Sequence, residues 1–260
     1  MGKTFKQRLE THSSSKKSNL ILAADFKNIE SSDYFGEYKK IVKTITDLGE
    51  YIAGLKINFH LLLPLAKSKI YDICKLCKQN DIITIADMKL NDISSTNMAV
   101  GSHLWNMGFD GVIVNPITGY NDGLDKLISM SHRKNKGIIS LVHMSHKGAN
   151  EFYSLKVTKN KKSNKLYELF LENSVRWNVD GIVVGASKPT LVKSCSEYIQ
   201  NIKNSNKRPL IFSPGVGFQG GNALKTMKLG TNYIIVGRSI LNSRSPISTA
   251  KKFSSLSWND

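Results

Sequence analysis

The sequence lacks any apolar run long enough to span a membrane, and it is poor in cysteine and in acidic side chains. A membrane helix needs roughly 18 consecutive apolar residues, and no run in the 260-residue chain approaches that length. The first residues, MGKTFKQRLETHSSSKK, contain no apolar segment of the kind found in secretory signals. Three cysteines are too few for a disulfide framework. We therefore expect neither a membrane protein nor a disulfide-rich secreted domain, but a cytoplasmic protein.

The shortage of acidic residues leaves a large positive charge. Only 20 Asp and Glu oppose 37 Lys and Arg, which gives a formal net charge of +17 at pH 7. Such an excess favours an anionic partner, which can be a nucleic acid, a membrane surface or a small substrate. The lysine-rich stretches at 16–17, 133–136 and 159–165 have few aromatic neighbours, which is typical of a solvated surface. We expect no nucleic-acid or membrane partner, and a small anion becomes the favoured ligand.

Eight short apolar runs recur along the chain, and helical spacing separates them. Each run is continuously apolar, which is typical of parallel strands buried on both faces. The runs lie at 20–25, 51–56, 82–87, 111–116, 137–144, 181–186, 209–215 and 233–238, and amphipathic helices are predicted over 36–48, 65–78 and 96–107. Eight strand-then-helix units predict an α/β fold, a single-domain (β/α)8 TIM barrel over residues 1–260, with a basic helical extension at 1–18.

Two segments are predicted to form loops on the catalytic face of this barrel. About 44 residues separate the starts of the fifth and sixth strands, and the surplus at 146–163 is polar and basic. An insertion after the carboxyl end of a strand lies on the face where barrel enzymes build their sites. We therefore expect the 146–163 segment to be a candidate lid, with a tolerated surface loop as the alternative. The second predicted loop is 214–222.

Charged residues end several of the predicted strands. Asp25, Lys56 and Asp87 close the first three strands, Lys89 follows the third, and Arg238 closes the eighth. The carboxyl ends of barrel strands are where catalytic residues lie, and a buried charge needs a partner. The pattern favours an active site over a purely structural ring of ion pairs.

The densest of these segments is ADMKLNDISSTN at 86–97. Asp87 and Lys89 are two residues apart, so on an extended backbone their side chains point the same way. Asp92 follows after a short turn. Alternating carboxylates hold an ammonium between them, which suits a proton donor placed beside a developing negative charge.

A glycine-rich loop, GVGFQG at 215–220, formally matches a dinucleotide fingerprint. That fingerprint belongs after the first strand of its unit and needs an acidic residue about 20 positions further on. Here it follows the seventh strand, and no Asp or Glu lies between Gly221 and Asp260. The loop is better explained as a backbone nest for one phosphate, completed by the amide of Gly237 and the guanidinium of Arg238.

Taken in order, six segments resemble the orotidine 5′-phosphate decarboxylase family. They are LILAAD at 20–25, GLK at 54–56, DMKLNDI at 87–93, MSHKGA at 144–149, SPGVGFQGG at 213–221 and IVGRS at 235–239. The likeness extends from about residue 18 to 250. The short third-strand motif resembles the archaeal-type branch of the family.

This resemblance implies the last step of de novo pyrimidine nucleotide synthesis, the conversion of orotidine 5′-monophosphate to uridine 5′-monophosphate without metal or other cofactor. It implies that Lys89 protonates a C6 carbanion, that Asp87 faces the departing carboxylate, and that Lys56 and Asp92 complete the charged array. The substrate-binding residues implied are Asp25, Lys56, Thr96, Ser145, Pro214, Gln219, Gly237 and Arg238, and the CO2 pocket is Ile93, Ile113 and Leu141. It also implies a homodimer in which Asp92 and Thr96 are donated across the interface.

Two other functions stay open on the residues alone. Hexulose-phosphate synthases and keto-gulonate-phosphate decarboxylases share the Asp-x-Lys-x-x-Asp motif but bind Mg²⁺ and carry a glutamate near the end of strand two, where this chain has Lys56. A basic barrel that binds nucleic acid without catalysis is the second alternative. Metal spacing also occurs at Cys74-x-x-Cys77 and His143-x-x-His146, but we expect buried thiols in the first and no metal at the second.

Overall fold

Eight parallel strands close into a barrel in the computed structural model, which describes residues 2–26, 34–159 and 162–258. The barrel strands are β1 (Leu20–Ala23), β2 (Gly54–Asn58), β3 (Ile83–Leu90), β4 (Gly111–Val114), β5 (Gly137–His143), β8 (Gly181–Val184), β9 (Leu210–Pro214) and β10 (Tyr233–Val236). Each strand pairs with its neighbour along the chain, and β1 closes the ring against β10 through Leu20 and Ile234. The predicted (β/α)8 barrel is confirmed, and each predicted strand overlaps an observed one.

The barrel strands form where the sequence is apolar and β-branched, because both faces of each strand are covered. All residues of β1, β4, β5, β8 and β10 are buried. Helices between the strands cover the outer face, as a parallel sheet requires. The helices of the described residues, including those at the two ends of the barrel, are α1 (Phe5–Lys16), α2 (Tyr34–Leu48), α3 (Phe59–Leu62), α4 (Lys67–Gln79), α5 (Ser94–Asn106), α6 (Asp125–Arg133), α7 (Asn150–Tyr153), α8 (Leu166–Arg176), α9 (Pro189–Gln200), α10 (Ala223–Lys228), α11 (Arg238–Leu241) and α12 (Pro246–Ser257).

The amino-terminal extension forms a plug at the end of the barrel opposite the strands' carboxyl ends. Helix α1 begins at a capping box in which Thr4 and Gln7 bond each other's backbone amides. The ring of Phe5 is buried against Gly137, where an added Cβ would lie only 2.5 Å from the ring. The chain therefore closes one end of the barrel with an aromatic side chain, and the other end stays open.

The insertion after β5 contains regular secondary structure, whereas the sequence predicts a polar loop at 146–163. It contains the short helix α7 and an antiparallel hairpin of β6 (Lys156–Lys159) and β7 (Lys162–Lys165); residues 160 and 161 lie outside the described residues. The register sets Lys156 opposite Lys165, an arrangement of like charges that disfavours pairing. Because lysine-rich segments are unfavourable as paired strands, the composition of this segment does not predict a hairpin. Its role as a lid stays a prediction.

No helix among the described segments is both long and apolar enough to cross a membrane.

Candidate active site

A cavity of about 310 Å³ opens at the carboxyl ends of the barrel strands. Its wall combines charged residues from strand ends with apolar residues from the barrel interior and residues of the 214–222 segment. The lining residues are Ala23, Asp25, Lys56, Asp87, Lys89, Ile113, Leu141, Met144, Ser145, His146, Val183, Pro214, Gly215, Val216, Phe218, Gln219, Ile235, Gly237, Arg238 and Ser239. The cavity therefore lies where the charged strand ends of the sequence predict a site.

The centre of the charged wall is one carboxylate held between two ammonium groups. Lys56 Nζ lies 2.7 Å from Asp87 Oδ2, and Lys89 Nζ lies 2.6 Å from Asp87 Oδ1. Lys56 and Asp87 are each only 6% exposed. Charge-assisted hydrogen bonds of this length fix the positions of all three groups. The three side chains together carry a net charge of +1.

The charge state of Asp87 follows from its two partners. Burial raises the pKa of the Asp87 carboxyl, but the charges and hydrogen bonds of Lys56 and Lys89 outweigh burial. The pKa of Asp87 therefore lies below its usual value, and the group is a carboxylate at neutral pH. A permanent carboxylate keeps the two ammonium groups paired and aimed along the cavity wall.

A neutral side chain, Asn58, extends the charged array toward Asp25. Lys56 Nζ donates to Asn58 Oδ1, and Asn58 Nδ2 donates to Asp25 Oδ1 at 3.2 Å. Asn58 is the register partner of Asp87 across the β2–β3 pair. Sequence reasoning missed Asn58, although its position two residues after Lys56 puts both side chains on one side of the strand.

The backbone of β3 departs from a regular strand at Lys89. Lys89 has a φ of 48°, in the left-handed region that residues with a Cβ disfavour. The pairing with β4 shifts there, since Ala86 is opposite Val112 and Leu90 is opposite Val114. Four residues along β3 therefore correspond to two residues along β4. This irregularity is a β-bulge, and it directs the Lys89 side chain into the cavity.

The glycine loop folds back on itself beside Arg238. Gly215, Gly217 and Gly220 all have positive φ, which is why the sequence has glycine there. The Gly217 amide donates to the Gly221 carbonyl at 2.7 Å, and the Gly221 amide to the Gly215 carbonyl at 3.1 Å. These loop amides are engaged internally, so the predicted backbone nest offers fewer of its donors to a phosphate than expected.

Arg238 supplies the cation on this side of the cavity. Its guanidinium carbon lies 4.0 Å from the centre of the Phe218 ring, a cation–π contact between the loop and the start of α11. The loop is also tied to α11 by the Phe218 amide, which donates to Ser239 Oγ at 2.8 Å. The contacts of Phe218 and Ser239 were not predicted from the sequence, because they join two segments that are far apart along the chain.

Most of the predicted site residues meet in the cavity of a single chain, but three do not. Asp92, Ile93 and Thr96 are exposed on the turn after β3 and the first turn of α5. Ile93 has 62% of its surface exposed. Met144, His146, Val183, Val216 and Ile235 line the cavity and were not predicted.

Three of the four residues that show metal-like spacing are buried side chains. Cys74 and Cys77 are buried on the inner side of α4, as predicted, and burial raises the pKa of Cys74 to about 12. His143 is buried in β5, whereas His146 reaches the cavity. Among residues 2–26, 34–159 and 162–258, no group of three or more His, Cys, Asp or Glu is placed to hold a metal ion.

The fold and the cavity define a (β/α)8-barrel protein with a charged ligand site at the carboxyl ends of its strands. A family model described as Orotidine 5′-phosphate decarboxylase / HUMPS family matches residues 18–253. The chain belongs to this family, which confirms the membership that its motifs predict.

Individual relatives agree with this assignment. The orotidine 5′-phosphate decarboxylase of Methanococcoides burtonii is 29% identical over 237 residues, which cover 91% of this chain and 96% of that protein. The one of Pyrococcus abyssi is 31% identical over 82% of this chain and 90% of its own length. The crystal structure of Methanocaldococcus jannaschii orotidine 5′-monophosphate decarboxylase complexed with the inhibitor BMP is 28% identical and has a TM-score of 0.72, over 93% of this chain and 98% of that one. These relatives are archaeal, as the third-strand motif predicts.

Proposed function

We propose that the chain removes CO2 from orotidine 5′-monophosphate to give uridine 5′-monophosphate, without a metal or other cofactor. The observation that carries this function is the Lys56–Asp87–Lys89 array, in which Lys56 and Asp87 are buried, at the wall of a cavity that also contains Arg238. Membership of the family and relatives named for this decarboxylation support the same reaction.

In the proposed reaction the bond between C6 of the pyrimidine and its carboxyl group breaks, and the electron pair stays on C6. The Lys89 ammonium stabilises this carbanion and then donates a proton to C6, while Asp87 faces the departing CO2. A carbanion gains most from cations that are already in place, because no solvent needs to reorganise when the charge develops. The fixed distances and the net charge of +1 in one protomer's array fit that requirement.

The remaining cavity residues would hold the substrate at its two ends. Arg238 and the amide of Gly237 bind the phosphate, and Gln219 bridges the phosphate and the pyrimidine. Ser145 hydrogen-bonds the pyrimidine, and Ile113, Leu141 and Pro214 form the apolar surface that receives CO2. These binding roles are supported by the position of the residues, which all line the same cavity as Lys89. Contacts far from C6 raise the rate when they are used to organise the site.

Asp92 and Thr96 act, in this proposal, in the site of a second copy of the chain, and Ile93 lies with them. Their exposure on one turn outside the protomer's own cavity supports such a role. Asp25 and Lys56 bind the ribose hydroxyls together with the partner's Thr96. The active form would therefore be a homodimer with two shared sites.

The alternative within the family is a Mg²⁺-dependent sugar-phosphate enzyme. Against it stands Lys56, whose ammonium points into the cavity and pairs with Asp87 where a metal ligand would be needed. An ammonium 2.7 Å from this carboxylate competes directly with a divalent cation for it.

The test follows the fall in ultraviolet absorbance of orotidine 5′-monophosphate with and without a chelator. We expect turnover that the chelator leaves unchanged and that Lys89→Ala abolishes in a folded protein. Turnover of orotidine 5′-monophosphate that the chelator abolishes would contradict the metal-free reaction. No turnover, together with salt-sensitive RNA binding, would favour a basic barrel without catalysis.

A further inference from the structure

Three consecutive backbone carbonyls at the carboxyl end of β5 each accept a hydrogen bond. The Gly185 amide donates to His143 O at 3.3 Å, His143 Nδ1 donates to Met144 O at 2.7 Å, and Ser187 Oγ donates to Ser145 O at 2.9 Å. Backbone after a strand end is otherwise free to choose among several conformations. Here the backbone that places Met144 and Ser145 in the cavity wall is fixed by one hydrogen bond at each of the residues 143–145.

The turn after β8 supplies two of the three donors and also contacts the next strand. The Ala186 amide donates to Pro214 O at 2.7 Å. The turn therefore joins the Ser145 segment on one side to the start of the glycine loop on the other.

Glycines allow these segments to approach closely. A Cβ added at Gly185 would lie 2.7 Å from Ser145 Cα, and one at Gly215 would lie 3.3 Å from Ser145 Cβ and 2.5 Å from Gln219 Oε1. Any side chain at Gly185 would push the Ser145 backbone away. Ser145 is thus packed between two strand ends, next to the residue that would bridge the phosphate and the pyrimidine.

His143 is itself held in one orientation. It is fully buried, with its ring 5.1 Å from the Tyr153 ring of α7 and 6.0 Å from the Tyr167 ring of α8. Because a carbonyl accepts at 2.7 Å, Nδ1 carries the proton, and Nε2 has no hydrogen-bond partner in the described part of the chain. Burial lowers the pKa of His143, which favours this neutral imidazole.

From these contacts we propose that His143 and Ser187 are positioning residues, which hold the Met144–Ser145 backbone so that Ser145 meets the pyrimidine. This inference rests on the proposed function, because it takes the pyrimidine as the partner of Ser145. It also assigns a purpose to the docking of the insertion, since Tyr153 packs on the imidazole that supports the site.

The test measures the affinity of three variants for two ligands, uridine 5′-monophosphate and ribose 5-phosphate. Ser187→Ala and His143→Leu each remove one donor, and we expect about tenfold weaker binding of the nucleotide, the upper range for one hydrogen bond. Binding of ribose 5-phosphate should change less than about twofold, because that ligand lacks the ring that Ser145 contacts. His143→Asn should restore part of the nucleotide affinity, since its amide nitrogen reaches the position of Nδ1.

Ser131→Ala is the matched control. Ser131 is a buried serine whose hydroxyl likewise donates to a backbone carbonyl, Ile128 O at 2.7 Å, but it lies on α6 outside the cavity lining. It should leave both affinities unchanged. Ser187 is only partly buried, so its variant remains informative if His143→Leu does not fold.

The outcomes separate the two proposals. If the wild-type chain decarboxylates the substrate, two results for the variants would overturn the positioning role alone. Either the variants keep full affinity for the nucleotide, or their affinities for the nucleotide and for ribose 5-phosphate fall equally. A wild-type chain that neither decarboxylates orotidine 5′-monophosphate nor binds the product would overturn the proposed function and this inference with it.

Discussion

Lys89 Nζ lies 2.6 Å from Asp87 Oδ1, although the backbone that joins the two residues is not a regular strand. Lys89 holds a left-handed φ of 48° at the bulge in β3. A residue with a Cβ in this region costs about 1 kcal/mol or more relative to its ordinary conformations. The position of the ammonium is therefore maintained at the expense of backbone stability, which is typical of a residue held in place for function.

Glycine at position 89 should be more stable than alanine there, the reverse of the usual order. Both Lys89→Gly and Lys89→Ala lose the ion pair, but only glycine adopts the left-handed region without strain, so we expect a difference of about 1 kcal/mol. Urea unfolding of both variants measures it. At Thr158 in β6, the same pair of substitutions should give the usual order, with glycine less stable. A less stable Lys89→Gly would show that the bulge carries no strain.

Replacing Asp87 by asparagine should destabilise the protein at neutral pH by about 3 kcal/mol, because Lys56 stays buried without its counter-charge. The folded pKa of Asp87 lies below its unfolded value, so its contribution is full above about pH 4 and is lost as the pH falls through the folded pKa. The stability difference between wild type and Asp87→Asn should therefore shrink below pH 4. Unfolding in urea at a series of pH values tests this, and a difference independent of pH would contradict it.

The strand ends of the site are predictable from the sequence because a barrel strand carries its own signal. Asp25, Lys56 and Asp87 follow continuous apolar runs, so the chain itself indicates where the site lies, although β2 and β3 continue past Lys56 and Asp87 to Asn58 and Leu90. The bulge at Lys89 depends on how β3 pairs with β4, and no local pattern records that register. The sequence therefore predicts that Lys89 and Asp87 point the same way, but not the backbone that achieves it.

Contacts between distant segments are the part that sequence reasoning misses. Phe218 meets Arg238, and Ser187 meets Ser145, only because the closed barrel brings neighbouring strand ends together. The hairpin at Lys156–Lys165 escapes notice for another reason, since facing lysines are unfavourable in a strand pair.

The contact between Phe218 and Arg238 should contribute to phosphate binding. A guanidinium that lies over an aromatic ring still has N–H groups for hydrogen bonds in its own plane, so this contact is compatible with phosphate binding. A cation–π contact at an exposed site contributes about 0.5–1 kcal/mol, so Phe218→Ala should bind uridine 5′-monophosphate about two- to fivefold less tightly. Affinity for uridine should not change. Phe218→Tyr keeps the ring and serves as the control, and equal losses for nucleotide and nucleoside would argue against the role.

The three cysteines should be unreactive in the folded protein. Cys74, Cys77 and Cys195 are all buried and free, and burial raises the pKa of Cys74 and of Cys195 to about 12. Only the thiolate attacks a thiol reagent. We expect no reaction at pH 7.5 in buffer and three modified thiols in urea, measured by a chromogenic disulfide reagent. Rapid modification of a cysteine in the folded state would contradict the buried positions.

Two inactive variants should restore each other's activity if Asp92 acts across a dimer interface. In a hybrid of Lys89→Ala and Asp92→Asn protomers, one site carries both substitutions and the other carries neither. Random reassociation makes half of the dimers hybrids with one intact site of two, so about a quarter of wild-type activity should return. The measurement is decarboxylation after joint unfolding and refolding of an equal mixture, with each variant refolded alone as the control. Variants that stay inactive when mixed, while hybrids form, would place Lys89 and Asp92 in the same protomer's site.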